Sequence, residues 1–117
     1  MECLSKWILG IKQVDKAQKQ IEILTRMSNI LVAQCDPFWG AFLKITVNKK
    51  EEFVEKEFYK FDQKGKLPAF LQGDESWELT DLAYELQDVM FEHTGGRWKW
   101  FTLELDKDGK AKTHFEY

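Results

Sequence analysis

Apolar residues recur at helical spacing through the first third of the chain. Leu4, Trp7, Ile8, Ile11 and Val14 form one run, and Ile21, Leu24, Met27, Leu31 and Cys35 a second. Both follow the rhythm of an amphipathic helix. Gly10 is expected to break or bend this path, because glycine is a poor helix former. Ile23 and Ile30 widen the second apolar arc, which predicts a well-buried helix. That helix should stop near Cys35, since Pro37 drives Asp36 out of the α region.

The period then changes. Phe38–Val47 and Phe53–Phe61 are rich in aromatic and β-branched residues and predict two strands, joined as a hairpin by Asn48-Lys49-Lys50-Glu51. Two registers fit the pattern. One sets Val54 and Phe58 with Ile45 and Ala41; the other turns Phe53, Tyr59 and Phe61 inward. Asp62–Lys66 reads as a turn around Gly65. Leu67–Leu71 is at most a short edge segment, because Pro68 has no N–H to give to a ladder.

Helical spacing returns from Asp74 to His93, with Leu79, Leu82, Ala83, Leu86, Val89 and Met90 on the inner face. Thr94-Gly95-Gly96 closes it, glycine supplying a left-handed cap. A second hairpin ends the pattern, and here the register is decidable. Matching the apolar faces sets Leu105 opposite Ala111, Leu103 opposite Thr113 and Phe101 opposite Phe115, with Lys107-Asp108-Gly109 as a bulged turn. The same register sets Glu104 against Lys112 and Asp106 against Lys110, which is favourable across a strand pair. The order α-β-β-α-β-β predicts one α+β domain over residues 1–117: two layers, a four-stranded antiparallel sheet with both helices on one face.

Composition narrows the class. A length of 117 residues suits one domain. At 44% hydrophobic and 15% aromatic the chain is too apolar to be disordered. A pI of 5.4 lacks the basic excess of a dedicated nucleic-acid binder. No apolar run is long enough to span a bilayer. Met1–Gln13 has neither a charged n-region nor a small-residue cleavage site, so no signal peptide is expected. Cys3 and Cys35 have no spacing that asks for a bridge, which points to a reducing, cytoplasmic setting.

Charge changes the picture most. The Asp74–His93 helix carries Asp74, Glu75, Glu78, Asp81, Glu85, Asp88 and Glu92 and no Lys or Arg. These seven leave 13 of the 20 acids to face 17 bases, so the net −3 divides into −7 on this segment and +4 elsewhere. Glu78, Asp81, Glu85, Asp88 and Glu92 share one stripe; Trp77, Tyr84 and Phe91 run beside it. Acids in the first turn suit the helix dipole, but Asp88 and Glu92 sit at the wrong end for that. Like charges one turn apart repel by ~0.2–0.5 kcal/mol per pair. Two readings follow. Either the stripe is a solvated face compensated by lysines elsewhere in the fold, or these eight residues form a binding surface for a basic partner.

Other chemistry finds little support. Cys3, Cys35, His93 and His114 have no metal-ligand spacing. Asp106-Lys107-Asp108-Gly109 imitates the start of a calcium loop but lacks its later ligands. Cys35 lies on an apolar stripe and reads as a small core residue. No phosphate loop or nucleophile elbow occurs. No catalytic residue, metal or cofactor is therefore expected. Arg97-Trp98-Lys99-Trp100-Phe101 interleaves bases with aromatics, the pattern of a single-stranded nucleic-acid or peptide platform. Its bland counterpart is that Trp98 and Trp100 shield the second face of the sheet.

The C-terminal region resembles the YezG-like bacterial antitoxin or immunity family. The resemblance rests on Trp100-Phe101-Thr102-Leu103-Glu104-Leu105, the turn Asp106-Lys107-Asp108-Gly109-Lys110 and the closing Phe115-Glu116-Tyr117, preceded by the acidic helix. The N-terminal helix and Cys35–Gly40 lie outside it. The resemblance implies stoichiometric neutralisation of a cognate protein toxin, often a nuclease, as in contact-dependent growth inhibition, without a cofactor. Nucleases that grip phosphate are basic, so the acidic helix would block the cleft. The alternative is a nucleic-acid or peptide module built on Trp98 and Trp100, for which the charge balance is unfavourable. A membrane partner is not expected.

Overall fold

The computed structural model describes residues 4–71 and 73–117, with side chains from residue 17 onward. Its elements are α1 (Leu4–Ala33), β1 (Ala41–Asn48), β2 (Phe53–Asp62), β3 (Gly65–Ala69), α2 (Asp74–Thr94), β4 (Trp100–Leu105) and β5 (Ala111–Glu116). Helix α1 runs unbroken through Gly10, contrary to expectation. A single glycine costs only about 1 kcal/mol in a helix, less than restarting one. Cys3 and the side chains of the Leu4–Val14 run lie outside the described residues. The helix stops short of Pro37 as expected.

The sheet has five antiparallel strands rather than four, in the order β3-β2-β1-β4-β5. The added strand is the Pro68 segment, paired through Phe58–Ala69 and Lys60–Leu67. Phe61 N–H donates to Gly40 C=O (3.1 Å). By strand alternation, Pro68 therefore faces away from β2 and its missing N–H takes nothing from the ladder.

Ala41, Leu43, Ile45 and Val47 of β1 and Phe101, Leu103 and Leu105 of β4 are buried on one face. They form one core with Ile23, Met27, Ile30 and Leu31 of α1 and Leu79, Ala83, Leu86 and Met90 of α2. Both helices thus lie on the same face. Ile21, expected on the buried stripe of α1, is exposed; Ile23 and Ile30 take its place.

The first hairpin pairs Leu43 with Phe58 and Val47 with Val54. Val54 and Phe58 face the helices, each opposite a different β1 residue from the one the first register set. Phe53, Tyr59 and Phe61 face the open side. The inward positions between and beyond Val54 and Phe58 hold Lys56 and Lys60, opposite Ile45 and Ala41. Gly40 leads into β1 at φ +127°, where a Cβ would meet Phe61 Cδ2 at 2.9 Å and Leu105 O at 3.0 Å. The second hairpin has the register that the sequence predicts, from Phe101–Phe115 to Leu105–Ala111, with Gly109 at φ +83° in its turn. Gly95 caps α2 in the left-handed region, its N–H donating to Phe91 C=O.

Candidate partner-binding face on the acidic helix

Helix α2 turns three sides to its surroundings besides the core. Toward α1 lie Glu75, Glu78 and Glu85. Arg26 grips Glu78 with both Nε and Nη2, the second contact at 2.8 Å. Lys19 Nζ stands 3.1 Å from Glu85, and Gln34 Nε2 donates to Glu75 at 2.9 Å. The hydrogen bond from Arg26 holds the Glu78 carboxyl below its ordinary pKa and raises that of Arg26 in return.

Toward the sheet, Ser76 and Thr80 meet Lys56. Its ammonium donates to Ser76 C=O (2.6 Å), Ser76 Oγ (3.0 Å) and Thr80 Oγ1 (2.6 Å). Burial pushes the Lys56 pKa down, and the charge of Asp81 partly opposes this. Further along, Asp88 takes hydrogen bonds from Lys49 and from Arg97 (3.1 Å). These, Lys49 foremost, depress its pKa against the effect of burial.

Intramolecular compensation thus accounts for Glu78, Glu85 and Asp88, three members of the predicted acidic stripe, and Glu75 is also engaged. Asp74, Asp81 and Glu92 remain exposed, and make no ion pair among the described residues. The aromatic stripe divides as well. Trp77 is 74% exposed and Phe91 40%. Tyr84 is partly buried and packs on the core, and the Arg97 guanidinium lies 4.2 Å from the centre of the Phe91 ring. The outermost surface of α2 therefore joins Trp77 to Asp74 and Asp81, with Glu92 further along.

Phe70, which the sequence reading did not single out, is 88% exposed just before α2. It borders a cleft of about 620 Å³ between the end of α1, Phe58 and Lys60 of β2, and the start of α2 at Gly73 and Glu75. An aromatic after the edge-strand residue Pro68, outside any periodic pattern, was the available signal.

The Trp98 and Trp100 pair separates. Trp98 is completely buried, packed on Phe101 and Phe115, and its carbonyl accepts a hydrogen bond from buried Gln87 Nε2 (2.7 Å). It offers no stacking surface. Trp100 lies on the open face with Lys44 Nζ 4.5 Å from its ring centre and His114 beside it. Cys35 is buried and its thiol pKa is raised by that burial, a poor setting for a nucleophile. Among the described residues no three His, Cys, Asp or Glu side chains cluster to hold a metal, and no helix is long and apolar enough to cross a membrane. No protein-family model matches the chain, and no curated protein sequence matches it.

Proposed function

We propose that this chain is a non-catalytic immunity protein or antitoxin that binds and neutralises a basic protein toxin in the cytoplasm through the outer surface of α2. The observation that carries this reading is Trp77, 74% exposed on a helix turn flanked by Asp74 and Asp81. A large aromatic left in water beside exposed carboxylates suits a desolvated anchor with a charged rim. The carboxylates would steer a cationic partner and make its association fall with salt. Of the eight residues expected at the interface, Trp77, Asp81 and Glu92 are the best placed. Phe91 and Tyr84 would contribute apolar area. Glu78, Glu85 and Asp88 serve mainly to hold α2 in position. The similarity of the C-terminal region to YezG-like antitoxins supports the same reading, with a nuclease as the natural target. The competing nucleic-acid or peptide reading retains Trp100 alone.

The test is growth rescue. The product of the gene adjacent to this one is expressed in cells with and without this chain. Toxicity should be relieved by the wild-type chain and by Glu55→Gln on the exposed face of β2, and that relief should be lost with Trp77→Ala combined with Asp81→Lys. An adjacent product that is harmless, or rescue that survives the double change, overturns the proposal. Reversal of Glu85 and Asp88 is a poorer test, because it also strikes contacts with Lys19, Lys49 and Arg97.

A further inference from the structure

The two edges of the sheet differ in kind. At the β3 edge the outward backbone positions are Lys66 and Pro68. A missing donor and a lysine are common devices against edge pairing. At the other edge, Asp106 N–H donates to Lys110 C=O (3.0 Å). Alternation from that bond directs the backbone of Lys112, His114 and Glu116 toward β4. The N–H and C=O groups of Ala111, Thr113 and Phe115 then point outward, and no described residue bonds to them. The helical layer stops short of this strand: apart from half-buried Phe115, every residue of β5 is exposed.

We propose that β5 is a pairing edge for a second copy of this chain. The two β5 strands run antiparallel about a twofold axis at His114, and Lys112 of each meets the partner's Glu116. The commitment to a second copy comes from the charge order of the strand. An isologous contact requires a surface complementary to itself. Lys112, His114 and Glu116 share the open face, positive at one end and negative at the other, so reversal sets each Lys against a Glu. The same register faces Thr113 with the partner's Phe115, both carrying outward backbone groups, so the hydrogen bonds fall where the donors and acceptors are. Shifting the axis to Thr113 would place Lys112 against the partner's His114. Shifting it to Phe115 would set Glu116 against the partner's His114 in place of Lys112. One register therefore satisfies both the ladder and the charges. The result is a continuous ten-stranded sheet, with Phe115 of each copy brought toward the seam. The contact is short, six residues at ~3.4 Å each, so association should be weak and concentration-dependent.

Sedimentation of the full chain decides it. The mass should rise from 13.9 kDa toward twice that value as concentration passes roughly 100 µM. Glu116→Lys and Lys112→Glu should each stay monomeric over that range, and an equal mixture of the two should recover the dimer. The mixture restores every cross-strand pair, so its recovery excludes simple misfolding of either variant. Thr113→Pro removes an outward N–H that β4 does not use. It should abolish the dimer while leaving the circular dichroism spectrum unchanged. A wild-type chain that stays monomeric to about 1 mM, or a dimer indifferent to all three changes, overturns the proposal.

Discussion

The flank of α2 facing α1 and the surface facing away from the fold carry the same residue types and do different work. On the inner flank Glu78 and Glu85 are tied to Arg26 and Lys19, and Glu75 to Gln34. On the outer surface Asp74 and Asp81 flank an exposed tryptophan, Glu92 lies further along, and none of the three makes an ion pair among the described residues. Less than a half-turn of helix separates the two sets. Charge along a sequence therefore says little about use; the angle around the helix decides it. Carboxylates that meet a cation on a neighbouring element serve the fold, and those with none remain available to something else.

The largest disruption of this comparison removes the ground both sides stand on. Leu86 is fully buried beneath α2, and Leu86→Ala should cost about 2–5 kcal/mol in urea unfolding. Lys56→Met comes next. It strips three hydrogen bonds from the first turns of α2 and should cost about 1–3 kcal/mol. The loss should grow at strongly alkaline pH. Burial lowers the folded pKa of Lys56, so between that value and the ordinary lysine range the unfolded chain holds the extra proton. The wild type then gains stability from this group as pH rises, and the Met variant should lack that gain.

Charge reversal sharpens the contrast itself. Glu85→Lys places two cations together between α1 and α2 and should cost about 0.5–1 kcal/mol. Glu92→Lys should stay within about 0.5 kcal/mol of wild type. Equal effects in parallel denaturation curves would erase the distinction between the two surfaces. The smallest effect is in acid. Glu78 and Asp88 ionise more readily in the folded chain, so their contribution is present above the usual carboxylate range and drains as pH falls through the depressed values. Arg26→Gln with Lys49→Gln should therefore lower stability at neutral pH and converge on wild type once pH has fallen below the depressed values.

The second hairpin was legible because two criteria agree in it. Phe101, Leu103 and Leu105 alternate cleanly, and Glu104 and Lys112 meet in the same register. The first hairpin was not, because Lys56 and Lys60 occupy inward positions of β2 and mimic a solvent face. Lys56 is accommodated there by Ser76 and Thr80 of α2, contacts that no local pattern reveals. Pro68 hid β3 for a related reason: a proline excludes a central strand but not an edge whose N–H would point outward. The inner face of α2 was readable from Leu79 to Met90, whereas buried Gln87 was not, since its partner is the backbone carbonyl of Trp98. The acidic stripe was readable as a stripe. Its division into engaged and exposed members was not, because Arg26, Lys19 and Lys49 come from elements far away in sequence.

Trp98 and Trp77 sit at opposite extremes of solvent contact, and this gives the molecule an internal optical pair. The indole of Trp98 emits from a dry interior that iodide cannot reach, while that of Trp77 emits from water and is open to the quencher. A protein seated on α2 would shift the second emission toward the blue and protect it, leaving the first unchanged. Loss of packing would redden the first instead. With Trp7, Trp39 and Trp100 replaced by phenylalanine, occupancy of the helix and integrity of the core can be followed separately in one unlabelled sample.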